Sequence, residues 1–140
     1  QMRELNTLDV EFKNKVAARP GGERAKNCYL CGTCTAGCPV SALDSDYNPR
    51  RMMRMILLGM KEELLSSPEI WLCNQCHACV AHCPQNVRFA DIIRVLREMA
   101  VEEGYASQDL VNEVEKLDIE LKKNRLSKVK ELTSKIQAKE

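Results

Sequence analysis

The sequence predicts an all-α protein. No stretch alternates apolar and polar residues with period two, apolar residues recur at spacings of three and four through most of the chain, and eight cysteines fall inside two short windows that duplicate one another. Two cysteine loops held by helices account for that pattern. With 140 residues the chain is one domain's worth plus an appended arm, and we divide it at residues 1–106 and 107–140.

Taken in order, Thr7 is placed to cap a short leading helix from about Asp9 to Ala18. Leu8, Phe12 and Val16 lie four apart on one side, and Pro20-Gly21-Gly22 stops it. The first cysteine window, Cys28 to Pro39, leads into a polar, turn-rich stretch from Ser41 to Tyr47. Asn48-Pro49 then reads as a cap and first helical residue. That helix carries Met52, Met53, Met55, Ile56, Leu57 and Leu58 to a stop at Gly59, and a shorter piece from Lys61 to Leu65 follows. Ser67-Pro68-Glu69 opens a turn of helix that brings Ile70, Trp71 and Leu72 to the second window, Cys73 to Pro84. From Arg88 to Glu103, Phe89, Ile92, Ile93, Leu96, Met99 and Ala100 mark one buried face, with Gly104 as the stop. Beyond Ser107 there is neither Gly nor Pro. Leu110, Val114, Leu117 and Leu121 form an apolar stripe whose phase slips before Val129, Leu132 and Ile136, so the arm reads as one long amphipathic helix.

Composition narrows the function. Twenty-one Lys+Arg against 20 Asp+Glu leave a formal charge of +1, so nothing drives the chain toward nucleic acid. The longest apolar-plus-Gly run, Met55 to Met60, is far short of the roughly 18 to 20 residues that span a bilayer, and no secretory signal opens the chain. We therefore expect a soluble, cytoplasmic protein without a transmembrane segment. The chain opens on Gln1, which suggests a trimmed start.

The windows read Cys28-x2-Cys31-x2-Cys34-x3-Cys38-Pro39 and Cys73-x2-Cys76-x2-Cys79-x3-Cys83-Pro84, without a deviation between them. This run is the bacterial 4Fe-4S pattern, in which the fourth cysteine serves the other cluster when two are present. Residues three apart lie on neighbouring turns, so Cys28, Cys31 and Cys34 can wrap three corners of one cube. Pro39 pushes Cys38 toward an extended conformation that carries its thiolate away. The expected ligands are Cys28, Cys31, Cys34 and Cys83 for one cluster, and Cys38, Cys73, Cys76 and Cys79 for the other. Disulfides fit poorly with a reducing compartment. Structural zinc usually draws cysteines in two separated pairs, with no fourth ligand before Pro.

Crossed ligation makes each cluster a staple between the windows, so removing the metal should unfold both. Each oxidised core with four thiolates carries about −2, which turns the formal +1 into roughly −3. Arg50, Arg51, Arg54 and Arg88 can offset that charge locally, although each taken singly reads as part of a solvated face. With all eight ligand positions filled, His77 and His82 read as polar neighbours that tune potential. The methionines read as gap-filling core, and Trp71 as a shield over the second site. No ninth cysteine, dinucleotide-type Gly turn or triad spacing offers a substrate site. The expected chemistry is one-electron transfer, without catalysis of the chain's own.

Between the windows stand Tyr47-Asn48-Pro49-Arg50-Arg51, Leu57-Leu58-Gly59, Ser66-Ser67 and Ile70-Trp71-Leu72-Cys73, and the second window closes on Cys83-Pro84-Gln85. Over Phe12 to Glu103 this resembles the iron–sulfur C subunits of heterodisulfide reductase. The resemblance implies an α-helical ferredoxin fold with two 4Fe-4S clusters in residues 1–106. It also implies a hetero-oligomer in which electrons pass from a flavoprotein A subunit to a catalytic B subunit. It does not define the arm. A freely diffusing two-cluster ferredoxin would leave the stripe Leu110 to Leu121 unexplained. The iron–sulfur subunit of a succinate dehydrogenase-like enzyme would add a Cys-x4-Cys-x2-Cys motif that is absent here.

Overall fold

The computed structural model describes residues 4–137. Among these there is no strand; the elements are helices and short 3-10 turns, the all-α class that the apolar spacing predicts. The chain divides into two units, Gln1–Ala106 and Ser107–Glu140. Eight helices build the first: α1 (Phe12–Ala17), α2 (Thr33–Ala36), α3 (Pro39–Leu43), α4 (Pro49–Leu58), α5 (Lys61–Leu65), α6 (Glu69–Leu72), α7 (Ala78–His82) and α8 (Phe89–Glu102). The second is a single helix, α9 (Gln108–Gln137). No described helix is long and apolar enough to cross a membrane.

Helix α8 is the centre of the first unit. Phe89, Ile92, Ile93, Leu96, Met99 and Ala100 are all buried, as their spacing requires, and Val95 and Arg97 are buried with them. Helices α1, α5, α6 and α7 pack on it, while α4 packs on α1, α2 and α5. Phe12 and Val16 of α1, Met52, Met53 and Ile56 of α4, Leu64 and Leu65 of α5, and Ile70 of α6 complete the same core. Each such side chain stabilises the fold by about 1.5–3 kcal/mol relative to exposure. The methionines of α4 lie in this core, as read from their helical placement.

Several boundaries differ from expectation, each for a local reason. The leading helix starts at Phe12 because Asp9 is held outside it. The Asp9 N–H donates to the Gly59 carbonyl at 2.8 Å, and its carboxylate accepts the Glu11 N–H at 3.0 Å. Thr7 does not cap this helix; its hydroxyl donates to the Glu4 carbonyl at 2.8 Å within a 3-10 turn. The polar stretch after the first window begins with a helix, because Pro39 at the first position of α3 has φ already set and no N–H to satisfy. Asn48 does cap α4, its side chain accepting the Arg51 N–H at 2.9 Å. Gly59 closes that helix at φ 80°, and a Cβ there would meet the Asp9 carbonyl oxygen at 2.3 Å.

Candidate metal centre

The two cysteine windows fold alike. Cys28 and Cys73 follow a 3-10 turn and a helix respectively, and each opens an irregular loop with a left-handed residue two positions on, Leu30 at φ 60° and Gln75 at φ 55°. A second left-handed residue follows Cys31 and Cys76, at Gly32 (φ 85°) and His77 (φ 60°). A single-turn helix then carries the third cysteine, Cys34 on α2 and Cys79 on α7. The expectation that three cysteines lie on successive helical turns is therefore corrected. The first two sit in a loop whose left-handed residues reverse the chain, and only the third is helical. The cost of a non-Gly residue in this conformation, roughly 1–2 kcal/mol, is borne in both windows. Cys38 and Cys83, each before a proline, are extended with ψ 121° and 117°, as the proline requires.

Helices α2 and α7 pack against each other, which brings the two windows together. The cysteines then sort between two cavities. One is lined by Cys28, Cys31, Cys34 and Cys83, with Cys79 at its wall. The other is lined by Cys38, Cys73, Cys76 and Cys79. Cys79 and Phe89 border both cavities. Among the described residues no three His, Cys, Asp or Glu side chains meet at a point that would hold a single metal ion. The thiols instead surround two volumes, a donor arrangement that fits four-iron cubes. Cys31 and Cys76 are exposed and the other six cysteines half-buried.

Polar groups already aim at the sulfurs. The Leu30 N–H donates to Cys28 Sγ at 3.4 Å, the Val87 N–H to Cys83 Sγ at 3.3 Å, and the Gln75 amide to Cys73 Sγ at 3.5 Å. Thr33 Oγ1 lies 3.3 Å from Cys31 Sγ, and this hydroxyl lowers the Cys31 thiol below its ordinary range. Burial raises the thiols of Cys28 and Cys34, and pushes Cys79 up to about 11. Loading metal must therefore displace protons from these thiols. Tyr47 is buried beside the second cavity, and burial first, then the Cys73 thiol, raises its phenol above the ordinary value.

Residues outside the windows hold the loops in place. Arg50 Nε donates to the Leu30 carbonyl at 2.6 Å, and Thr35 bridges the first loop to α4: its hydroxyl donates to Asn48 Oδ1 at 3.1 Å and accepts the Arg50 N–H at 3.0 Å. Arg51 pairs with Glu69, and Arg88 with Asp91. Of these arginines Arg50 fastens the first loop, Arg51 ties α4 to α6, and Arg88 makes a local pair at the first turn of α8. Arg97, buried in α8, was not legible as part of the site. Its guanidinium donates to the carbonyls of Ile70 at 2.9 Å, Trp71 at 3.2 Å and Cys73 at 2.8 Å, satisfying the end of α6 as it enters the second loop. Trp71 lies under that guanidinium at 5.4 Å and lines neither cysteine cavity, so Phe89 and Tyr47 occupy the place expected for it. His77 borders the second cavity; His82 borders neither and faces Gly37.

The fold is all-α, and residues 24–87 match the family model of the 4Fe-4S dicluster domain. The chain is similar to the C subunits of heterodisulfide reductase. It is 36% identical over 98 residues to the C subunit of the H(2):CoB-CoM heterodisulfide,ferredoxin reductase of Methanothermobacter thermautotrophicus, covering 70% of this chain and 52% of that one. It is 38% identical over 81 residues to the iron-sulfur C subunit of the CoB--CoM heterodisulfide reductase of Methanopyrus kandleri, covering 58% and 42%. Against the C subunit of the Ferredoxin:CoB-CoM heterodisulfide reductase of Methanosarcina acetivorans it is 36% identical over 107 residues, covering 76% and 42%. The chain spans about half the length of these relatives or less.

Proposed function

We propose that this chain is the electron-relay subunit of a cytoplasmic heterodisulfide reductase-like complex. It passes single electrons through two 4Fe-4S clusters from a flavoprotein A subunit to a catalytic B subunit. The observation that carries this reading is the sorting of eight cysteines between two adjoining cavities, four from the expected set in each. Cys28, Cys31, Cys34 and Cys83 would hold one cluster, and Cys38, Cys73, Cys76 and Cys79 the other. A bound cluster of this kind supplies a one-electron couple. The chain's own residues do the rest. The Leu30 and Val87 N–H groups and the Gln75 amide stabilise charge on the thiolates, and Phe89 fills the wall common to both cavities. The exposed Cys31 and Cys76 bring each site to the surface, where a partner can exchange electrons with it.

Two measurements test the proposal. Cys83→Ser should disturb the cluster held by the first window and spare the one held by the second, as read by electron paramagnetic resonance of the reduced protein. Loss of the second-window signal instead would show uncrossed ligation. Co-purification with A- and B-type subunits, followed by rapid mixing of the chain with each, tests the relay. A chain that accepts electrons from neither subunit is not that relay.

A further inference from the structure

With Arg125 bridging the slip between Leu121 and Val129, the stripe of helix α9 from Leu110 to Ile136 has steps of 4, 3, 4, 4, 4, 3 and 4 residues, a series that reads the same in either direction. The mean step, about 3.7 residues, keeps the stripe nearly straight along a helix of some 3.6 residues per turn. Leu117, Leu121, Val129, Leu132 and Ile136 are between 38% and 70% exposed, so the described structure leaves this face largely uncovered.

Charge divides the same helix at its middle. Residues 108–121 hold five acids (Asp109, Glu113, Glu115, Asp118, Glu120) and one base, Lys116. Residues 122–134 hold five bases (Lys122, Lys123, Arg125, Lys128, Lys130) and one acid, Glu131. The helix dipole rewards such polarity only within the first and last turns, so it does not account for Glu115 to Lys123 at mid-helix.

We propose that α9 is a self-association helix and that its occupant is a second copy of this chain, paired antiparallel. A stripe with reversible spacing meets its own reverse in register. Leu110 falls opposite Ile136, Val114 opposite Leu132, Leu117 opposite Val129, and Leu121 opposite the stem of Arg125, whose head remains in water. The same register brings Glu120 beside Lys128 on one flank, and each acidic half lies along the other copy's basic half. Parallel pairing would set like charges together along the whole helix. The helix, about 45 Å long at 1.5 Å per residue, gives room for four such layers at each end of the pair. This inference does not rest on the electron-relay reading.

Sedimentation equilibrium of the full-length, cluster-loaded chain tests it. The expected result is a monomer–dimer equilibrium that weakens as salt rises. The double variant Leu117→Ala, Leu132→Ala should raise the dimer dissociation constant by about tenfold or more. Asp118→Lys with Glu120→Lys, which neutralises the acidic half at exposed or half-exposed positions, should also weaken the dimer, and circular dichroism checks that α9 survives in each variant. If the leucine variant loses helix, the charge variant decides. A chain monomeric at every concentration overturns the proposal. So does a dimer strengthened by salt or by the charge variant, which would be parallel, or one indifferent to the leucine variant. Capture of α9 by a different protein while the chain alone stays monomeric also rejects it.

Discussion

Arg97 shows how a single residue can hold a site it does not line. Its guanidinium is buried and satisfies three carbonyls at the approach to Cys73, so removing it orphans those acceptors as well as a packed stem. Arg97→Met should cost about 3 kcal/mol and speed iron loss from the second window, measured by thermal unfolding and the decay of visible absorption. Arg97→Lys should rescue it only in part, because one ammonium cannot reproduce the planar fork. Tyr47 acts more directly. Tyr47→Phe removes a phenol beside the Cys73 thiol, and the midpoint potential of the second-window cluster should fall, since fewer donors then stabilise negative charge on sulfur. An unchanged potential would assign Tyr47 to packing alone. The signal for Tyr47 was present in the sequence, next to the Asn48-Pro49 cap. Arg97 carried none, because a charged residue on an apolar helix looks like part of the wet face until its partners are known.

At the scale of elements, the contact between Asp9 and Gly59 joins the start of α1 to the end of α4. Gly59→Ala meets both a left-handed backbone and a carbonyl oxygen at 2.3 Å, and should cost about 2 kcal/mol or more by denaturant unfolding. The same corner is sensitive to acid. Lys15, bonded to the Asp9 carboxylate at 2.6 Å, holds that carboxyl below its ordinary 3.8. A lowered carboxyl stabilises the fold above its unfolded pKa, and that contribution disappears as pH falls through the native value. Asp9→Asn should therefore destabilise at neutral pH and make no difference in strong acid, a convergence that a pH series of melting temperatures reads. The one-turn helices α2, α3 and α7 mark where periodicity fails as a guide. They are too short to show a repeat, and the cysteines of α2 and α7 answer to the cavities rather than to a helical stripe.

For the whole molecule, the first unit combines a conventional core around α8 with two cavities that the thiols line. Removing iron with a chelator should lose tertiary signal around both windows while the helical signal of α9 persists; an unchanged near-ultraviolet spectrum would mean that the core alone holds the loops. Deleting residues 107–140 separates the units. If the visible spectrum survives and dimerisation disappears, the arm serves association, whereas lost absorption would make it part of the cluster fold. The sequence by itself determined the helical class, the α4 cap and stop, the buried face of α8 and the two matching cysteine windows. Each is written in local spacing and in residue types with few alternative uses. Only the tertiary structure decided that α2 packs on α7, that Phe89 and Cys79 stand between the cavities, and that Arg50 and Arg97 fasten the loops. These are contacts between residues far apart in the chain, where no local pattern records which side chain will meet which carbonyl.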